Sequence, residues 1–113
     1  LVSEKARVIQ EYVPGKQITL AHVIRNPRKE LCEKIGIDHQ GAVGILTITP
    51  GEGAIIAGDI ASKSASVRVE FVDRFTGCLM ISGDVSSVES SLRSIVNFFG
   101  SKLLFASTEV TFS

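Results

Sequence analysis

Apolar and polar positions along this chain switch repeatedly between a period of two and a period near three and a half, and each switch marks an element. Arg7–Val13 (RVIQEYV) alternates: Val8, Gln10 and Tyr12 share one side of a strand, and Ile9, Glu11 and Val13 the other. Pro14-Gly15 ends it in a turn. A second strand is predicted over 17–24. Asn26-Pro27 then predicts a short helix, with Asn26 as N-cap, Pro27 as its first residue, Leu31 and Ile35 on its packed face, and Gly36 closing it. After a loop at 37–41, Ala42–Thr49 (AVGILTIT) is apolar on both faces and reads as a buried strand. Pro50-Gly51 turns into a helix over 52–64, dense in Gly53, Ala54, Ala57, Gly58 and Ala61. Such small residues let a helix backbone lie close to a sheet, with Ile56 and Ile60 as its larger contacts.

Val67–Val72 is the next strand. Asp73-Arg74-Phe75-Thr76-Gly77 forms a turn, and Cys78–Ser82 returns antiparallel. Asp84 caps the longest helix, where Val85, Val88, Leu92, Ile95, Val96 and Phe99 keep helical spacing and Gly100 marks the stop. The stretch 103–112 holds one or two closing strands. The order β-β-α-β-α-β-β-α-β predicts an α+β fold, one sheet carrying its helices on one face. No repeat, low-complexity run or linker divides residues 1–113, so they make one domain, with 1–6 frayed.

Composition sharpens this picture. Of 113 residues, 44% are hydrophobic but only 6% aromatic, so small and branched aliphatics build the core. A domain of this size cannot bury so much apolar surface alone, which favours self-association. Twelve basic residues balance twelve acidic ones without a basic stripe, so nucleic acid is not an expected partner. No run is long and apolar enough for a membrane span, and Leu1–Gln10 does not read as a secretory leader. Cys32 and Cys78 fit neither a disulfide framework nor a zinc pattern, which points to a reducing cytoplasm.

Candidate chemistry is thin. Gly51-Glu52-Gly53 sits where a dinucleotide fingerprint would, but Ile56 occupies the third glycine position and Glu52 would repel a pyrophosphate. His22 and His39 have no acid spaced to orient them. Ser86, Ser87, Ser90, Ser91 and Ser94 line the polar side of the last helix and lack a nucleophile-elbow context. Asp59 and Glu70 stand as isolated carboxylates, and Cys78 as a strand cysteine whose role stays open. No catalytic, cofactor-binding or metal-ligating residue is therefore assigned, and no cofactor.

Three blocks, RVIQEYVPGKQITLAHVI at 7–24, GILTITPGEGAIIAGDIASKS at 44–64 and DRFTGCLMISGDVSSVE at 73–89, resemble the shell proteins of bacterial microcompartments. The match is to their circularly permuted single-domain subclass, as in ethanolamine-, propanediol- and choline-utilising compartments. This resemblance implies a permuted BMC fold and a non-enzymatic subunit that forms homohexamers. With other shell proteins these tile the shell within the cytoplasm. It further implies that Arg7, Val8, Ile9, Gln10, Glu11, Tyr12 and Val13 join their symmetry mates in a β-barrel over the sixfold axis. The turn Asp73, Arg74, Phe75, Thr76 and Gly77 would line the central pore, made narrow and partly cationic by Arg74 and Phe75. Lys63 and Arg25 would lie at the hexamer edge, Gly41 would act as a hinge between flat and bent rings, and the barrel could receive peptides of enclosed enzymes. The alternative is a regulatory α+β domain that binds a small ligand between subunits.

Overall fold

The computed structural model describes residues 15–38, 41–64 and 66–113. The strand expected over Arg7–Val13, and His39, lie outside the described residues. Eight elements follow: β1 (Gln17–Ile24), α1 (Lys29–Ile35), β2 (Ala42–Thr49), α2 (Gly53–Lys63), β3 (Val67–Asp73), β4 (Cys78–Gly83), α3 (Val85–Lys102) and β5 (Thr111–Phe112). Five strands form one sheet in the order β3-β4-β2-β1-β5. Neighbours are antiparallel except β1 and β5, which run parallel through His22–Thr111 and Val23–Phe112. Among the described residues the α+β class and element order follow the sequence pattern.

One face of the sheet carries α2 and α3. Ile18, Ala21, Val23, Leu46, Ile48, Leu79 and Ile81 are buried there against Ala54, Ala57, Ala61, Val88, Leu92, Ile95 and Phe99. Gly44 sets the depth of this packing, since a Cβ there would lie 2.7 Å from Val88 Cγ1 and 3.0 Å from Ile81 Cγ1. Asp84 caps α3 as expected, accepting the Ser87 N–H at 2.9 Å and the hydroxyls of Ser86 and Ser87. Gly36 closes α1 in the left-handed region at φ 79°, and the Ile37 N–H donates to the Cys32 carbonyl at 3.0 Å.

Several expectations need correction. Helices do not share one face: Cys32 of α1 packs with Ile37, Val43, Ile45 and Met80 on the opposite side of the sheet, in a small second core. Nor does α1 begin at Pro27. Arg28 is still extended, at φ −67° and ψ 143°, and the Pro27 ring is buried as an anchor before the helix starts. Leu31 and Ile35 are both exposed, because the helix turns Cys32 inward instead. On α2 the buried residues are Gly53, Ala54, Ala57, Gly58 and Ala61, while Ile56 faces outward and Ile60 is only partly buried.

Gly100 does not end α3, which runs on to Lys102. The stop comes from Phe105, whose N–H donates to the Phe99 carbonyl at 2.9 Å and whose ring meets Phe99 edge-on at 4.9 Å. Leu104 takes the left-handed turn between them, at φ 59°. Of the closing strands, β5 has two residues, preceded by an isolated bridge from Ala106 to Gln17.

The contact at Gly44 yields a direct test. Replacing Gly44 with Ala overpacks the seam between β2 and α3 and costs about 1–3 kcal/mol, lowering Tm by several degrees. Val88→Ala in the same chain should recover part of the loss. Equal melting temperatures for wild type and Gly44→Ala would contradict the packing described.

Candidate functional site

The turn Asp73–Gly77 joins β3 to β4. Asp73 organises it from within: one carboxylate oxygen accepts the Phe75 N–H at 2.9 Å and the other the Thr76 hydroxyl at 2.9 Å, while the Gly77 N–H donates to the Asp73 carbonyl at 2.8 Å. These bonds, the Phe75 N–H above all and then the Thr76 hydroxyl, hold the Asp73 carboxyl below its ordinary 3.8. With that carboxylate occupied inside the turn, Arg74 rests its guanidinium over the Phe75 ring at 4.9 Å, and Phe75 is 83% exposed.

Backbone approach fixes the turn against the β2–α2 connection. The Ile48 N–H donates to the Gly77 carbonyl at 2.9 Å. A Cβ at Gly51 would sit 2.1 Å from the Arg74 carbonyl oxygen, and one at Gly77 would sit 2.0 Å from that of Ile48. Gly77 also has φ 77°, so glycine is required there twice over. Cys78, just beyond, is half-buried, and burial first and Asp73 second push its thiol up from 9.0. That makes it a packed thiol and a poor nucleophile. Among the described residues no group of three or more His, Cys, Asp or Glu could hold a metal ion.

Strand pairing places the remaining predicted residues. In register, Thr47 faces Cys78 and Thr49 faces Gln17 at one end of β2, while Ala42 faces Gly83 and Val43 faces Ile24 at the other. Arg25 and Gly41 therefore lie at the end opposite the turn. Lys63 lies there too, since α2 starts beside Ile48 and ends just before Val67, which pairs with Gly83. The two groups are separated by the length of β2, about 25 Å for its eight residues. Lys63 pairs with Asp59 at 2.8 Å, so Asp59 is not isolated. Arg25 lies over the Phe112 ring at 5.1 Å and donates its N–H to the Ser113 carbonyl at 2.9 Å. Gly41 has φ 107°, and a Cβ on it would meet the Gly83 carbonyl oxygen at 2.8 Å.

Other candidates resolve into structure. His22 bonds the hydroxyls of Thr111 and Ser113 at 2.6 and 2.8 Å, fastening β5 to β1. Glu70 accepts from the Ser82 hydroxyl and pairs with Arg68 at 3.6 Å, and Arg68 also reaches Asp38 at 3.3 Å. Gly53 of the false fingerprint packs on Ile48: a Cβ on it would lie 2.8 Å from Ile48 Cδ1. What sequence reasoning missed is the outward pair Ile55 and Ile56. The unbroken run Ala54-Ile55-Ile56-Ala57 was the available signal, since the small residues on either side of the isoleucines take the side of the helix that packs on the sheet.

The BMC domain model matches residues 42–111. The chain belongs to the BMC domain family. The match begins at β2 and leaves β1 and α1 upstream of it, as a permuted order requires. The microcompartment shell protein CutR of Streptococcus intermedius is 54% identical over 105 residues, spanning 93% of this chain and 90% of that protein. EutS of Escherichia coli strain K12, also a microcompartment shell protein, is 52% identical over 108 residues, or 96% and 97% of the two. A flat hexamer of CutR matches with a TM-score of 0.87 at 53% identity, covering 95% of this chain and 98% of that one. A screw form of CutR, covering 88% and 100%, gives 0.85 at 52% identity. The function is therefore structural, that of a non-enzymatic subunit of the bacterial microcompartment shell.

Two carboxylates anchor this geometry, and both give it a pH dependence. The Ser87 N–H, followed by the Ser86 and Ser87 hydroxyls, holds Asp84 below 3.8, as the turn holds Asp73. A depressed carboxyl stabilises the fold fully above its unfolded value and loses that contribution as pH falls through the folded one. Tm should thus fall as pH drops below about 4, and the double variant Asp73→Asn/Asp84→Asn should show a flatter acid profile. Parallel profiles for the two proteins would remove both groups from the account.

Proposed function

We propose that the chain closes into a cyclic hexamer that tiles edge to edge in the shell, with the Asp73–Gly77 turn toward the sixfold axis and Lys63 and Arg25 at the perimeter. The observation that carries this reading is the flat CutR hexamer, which the subunit matches over nearly its whole length. The separation of the turn from Lys63, Arg25 and Gly41 by the length of the sheet supports it: a wedge needs an inner and an outer end. Arg74 and Phe75 then make the axial opening narrow and partly cationic.

Arg7–Val13 closes with its five symmetry mates into a β-barrel that caps the axis. Supporting this, the chain enters β1 at Gln17, which pairs with Thr49 at the same end of the sheet as the turn. A lone strand leaves open edges, and six copies closed in a ring leave none. The capped axis limits passage of small metabolites, and the mouth of the barrel receives peptides from enclosed enzymes. Gly41 serves as the pivot between flat and inclined rings. Its φ of 107° and the flat and screw forms of CutR support that role.

Light scattering should give a particle of six 12.1 kDa chains, and negative-stain images should show sixfold rings or sheets. A dimer or tetramer at the same concentration would overturn the reading. Deleting 7–13 should leave a particle of six chains and abolish capture of enclosed-enzyme peptides. Capture that survives the deletion would show that the barrel is not the receptor.

A further inference from the structure

The serines expected on the polar side of α3 do not all reach water. Ser91 is 2% exposed, on the side of the helix that also buries Val88, Leu92, Ile95 and Phe99. Among the described residues, its Oγ is the one buried side-chain polar atom that finds no hydrogen-bond partner. A buried hydroxyl left unpaired destabilises a fold. Alanine in its place would remove that cost and favour the helix. Packing within the subunit therefore gives no reason for a hydroxyl at this position.

Its surroundings give one. Ser91 lines a depression of about 570 Å³ between the end of α2 and the first turns of α3, and the other walls are Ser64, Ser86, Ser87 and Ser90. Every wall carries a hydroxyl. Three of them have already committed their protons. Ser64 donates to the Ile60 carbonyl at 3.2 Å, and Ser86 and Ser87 donate to the Asp84 carboxylate at 2.9 and 3.0 Å. What these three still offer is lone pairs, so a ligand has to donate to them. Ser91, with both its proton and its lone pairs unused, can pair in either direction.

Charge narrows the class further. The Asp84 carboxylate behind Ser86 and Ser87 disfavours an anion, and the positive end of the α3 dipole disfavours a cation. Ser86 and Ser90 are shared with a second depression, lined also by Ser94, Asn97 and Thr108. There Glu89 and Arg93 neutralise each other at 2.9 Å, and Glu109 adds an acid that again opposes an anion.

We propose that the serine-walled depression binds a small neutral polyol. Its hydroxyls donate to Ser64, Ser86 and Ser87, and one of them pairs with the Ser91 Oγ. The site lies within one subunit, at the end of the sheet opposite the Asp73–Gly77 turn, since α3 starts just after Gly83. It does not depend on how copies assemble.

Saturation-transfer NMR on the full chain, with glycerol and erythritol as probes, tests the site. The wild type should transfer saturation to both. Ser91→Ala should cut the transfer about fivefold or more, the share of one hydrogen bond, while melting at the same or a higher temperature. Ser90→Val, which leaves Ser91 in place and removes a wall hydroxyl, should weaken the transfer as well. Acetate and tetramethylammonium, as charged probes, should show none. Equal transfer in Ser91→Ala, transfer to the charged probes as strong as to glycerol, or no transfer in the wild type would each overturn the proposal. So would a lower Tm for Ser91→Ala, which would show that the hydroxyl is already satisfied by the fold or by a bridging water alone.

Discussion

Close approach between helix and sheet is the constraint on which the rest depends. It is set by residues with almost no side chain. A Cβ at Gly58 would lie 2.9 Å from Val72 Cγ2, and one at Gly53 would lie 2.8 Å from Ile48 Cδ1. Nothing bulkier fits under α2 without moving the sheet or the helix. With its inner face restricted to Gly and Ala, α2 carries its large apolar side chains at the flank, as Ile60, or outward, as Ile55 and Ile56. The packing rule inside the subunit thereby decides which side chains the outer surface of α2 carries. The fully or nearly buried rings, Phe99 and Phe105, meet edge-on at the far end of α3.

The same economy of side chains holds both ends of the sheet. At one end, Gly51 and Gly77 let the β3–β4 turn press backbone to backbone on the β2–α2 connection. At the other, Gly41 lies against the Gly83 carbonyl. A turn whose carboxylate is satisfied internally and whose backbone is locked to a neighbouring turn keeps its shape without help from a ligand. The perturbed carboxyls are explained in this way. Asp73 and Asp84 are depressed by turn and cap hydrogen bonds, not by a partner poised for proton transfer. A perturbed carboxyl often marks a catalytic cleft; in this subunit the two lowered carboxyls mark structural corners.

Much of this was legible before any coordinates. Among the described residues, strand period, the Pro50-Gly51 and Asp73–Gly77 turn chemistry, the Asp84 cap and the Gly36 stop each act locally, and each stands within a residue or two of its expected place. What could not be read was which face of α1 and α2 is buried. Leu31 and Ile35 have the spacing of a core stripe, as do Ile56 and Ile60, yet Leu31, Ile35 and Ile56 are exposed. Hydrophobic spacing identifies a surface that avoids water. It does not say whether the same chain or another copy covers it, and in a shell subunit those two surfaces have the same chemistry. Gly100 failed as a stop for another reason: Phe105, folding its N–H and ring back onto Phe99 six residues earlier, outweighs the preference of a glycine.

Permutation ties the two ends of the wedge to its termini. Because β1 lies between β2 and β5, the upstream unit is stitched into the middle of the sheet, not appended to its edge. Antiparallel pairing with β2 then brings the start of β1 beside Thr49, next to the turn, and sends its end to Arg25 at the opposite limit. An unpermuted order could keep the same strands in the same places, but it would not feed a preceding segment into the turn end. Rearranging the order of identical elements thus changes which end of the subunit can carry an addition, while the core packing that fixes the wedge is left alone.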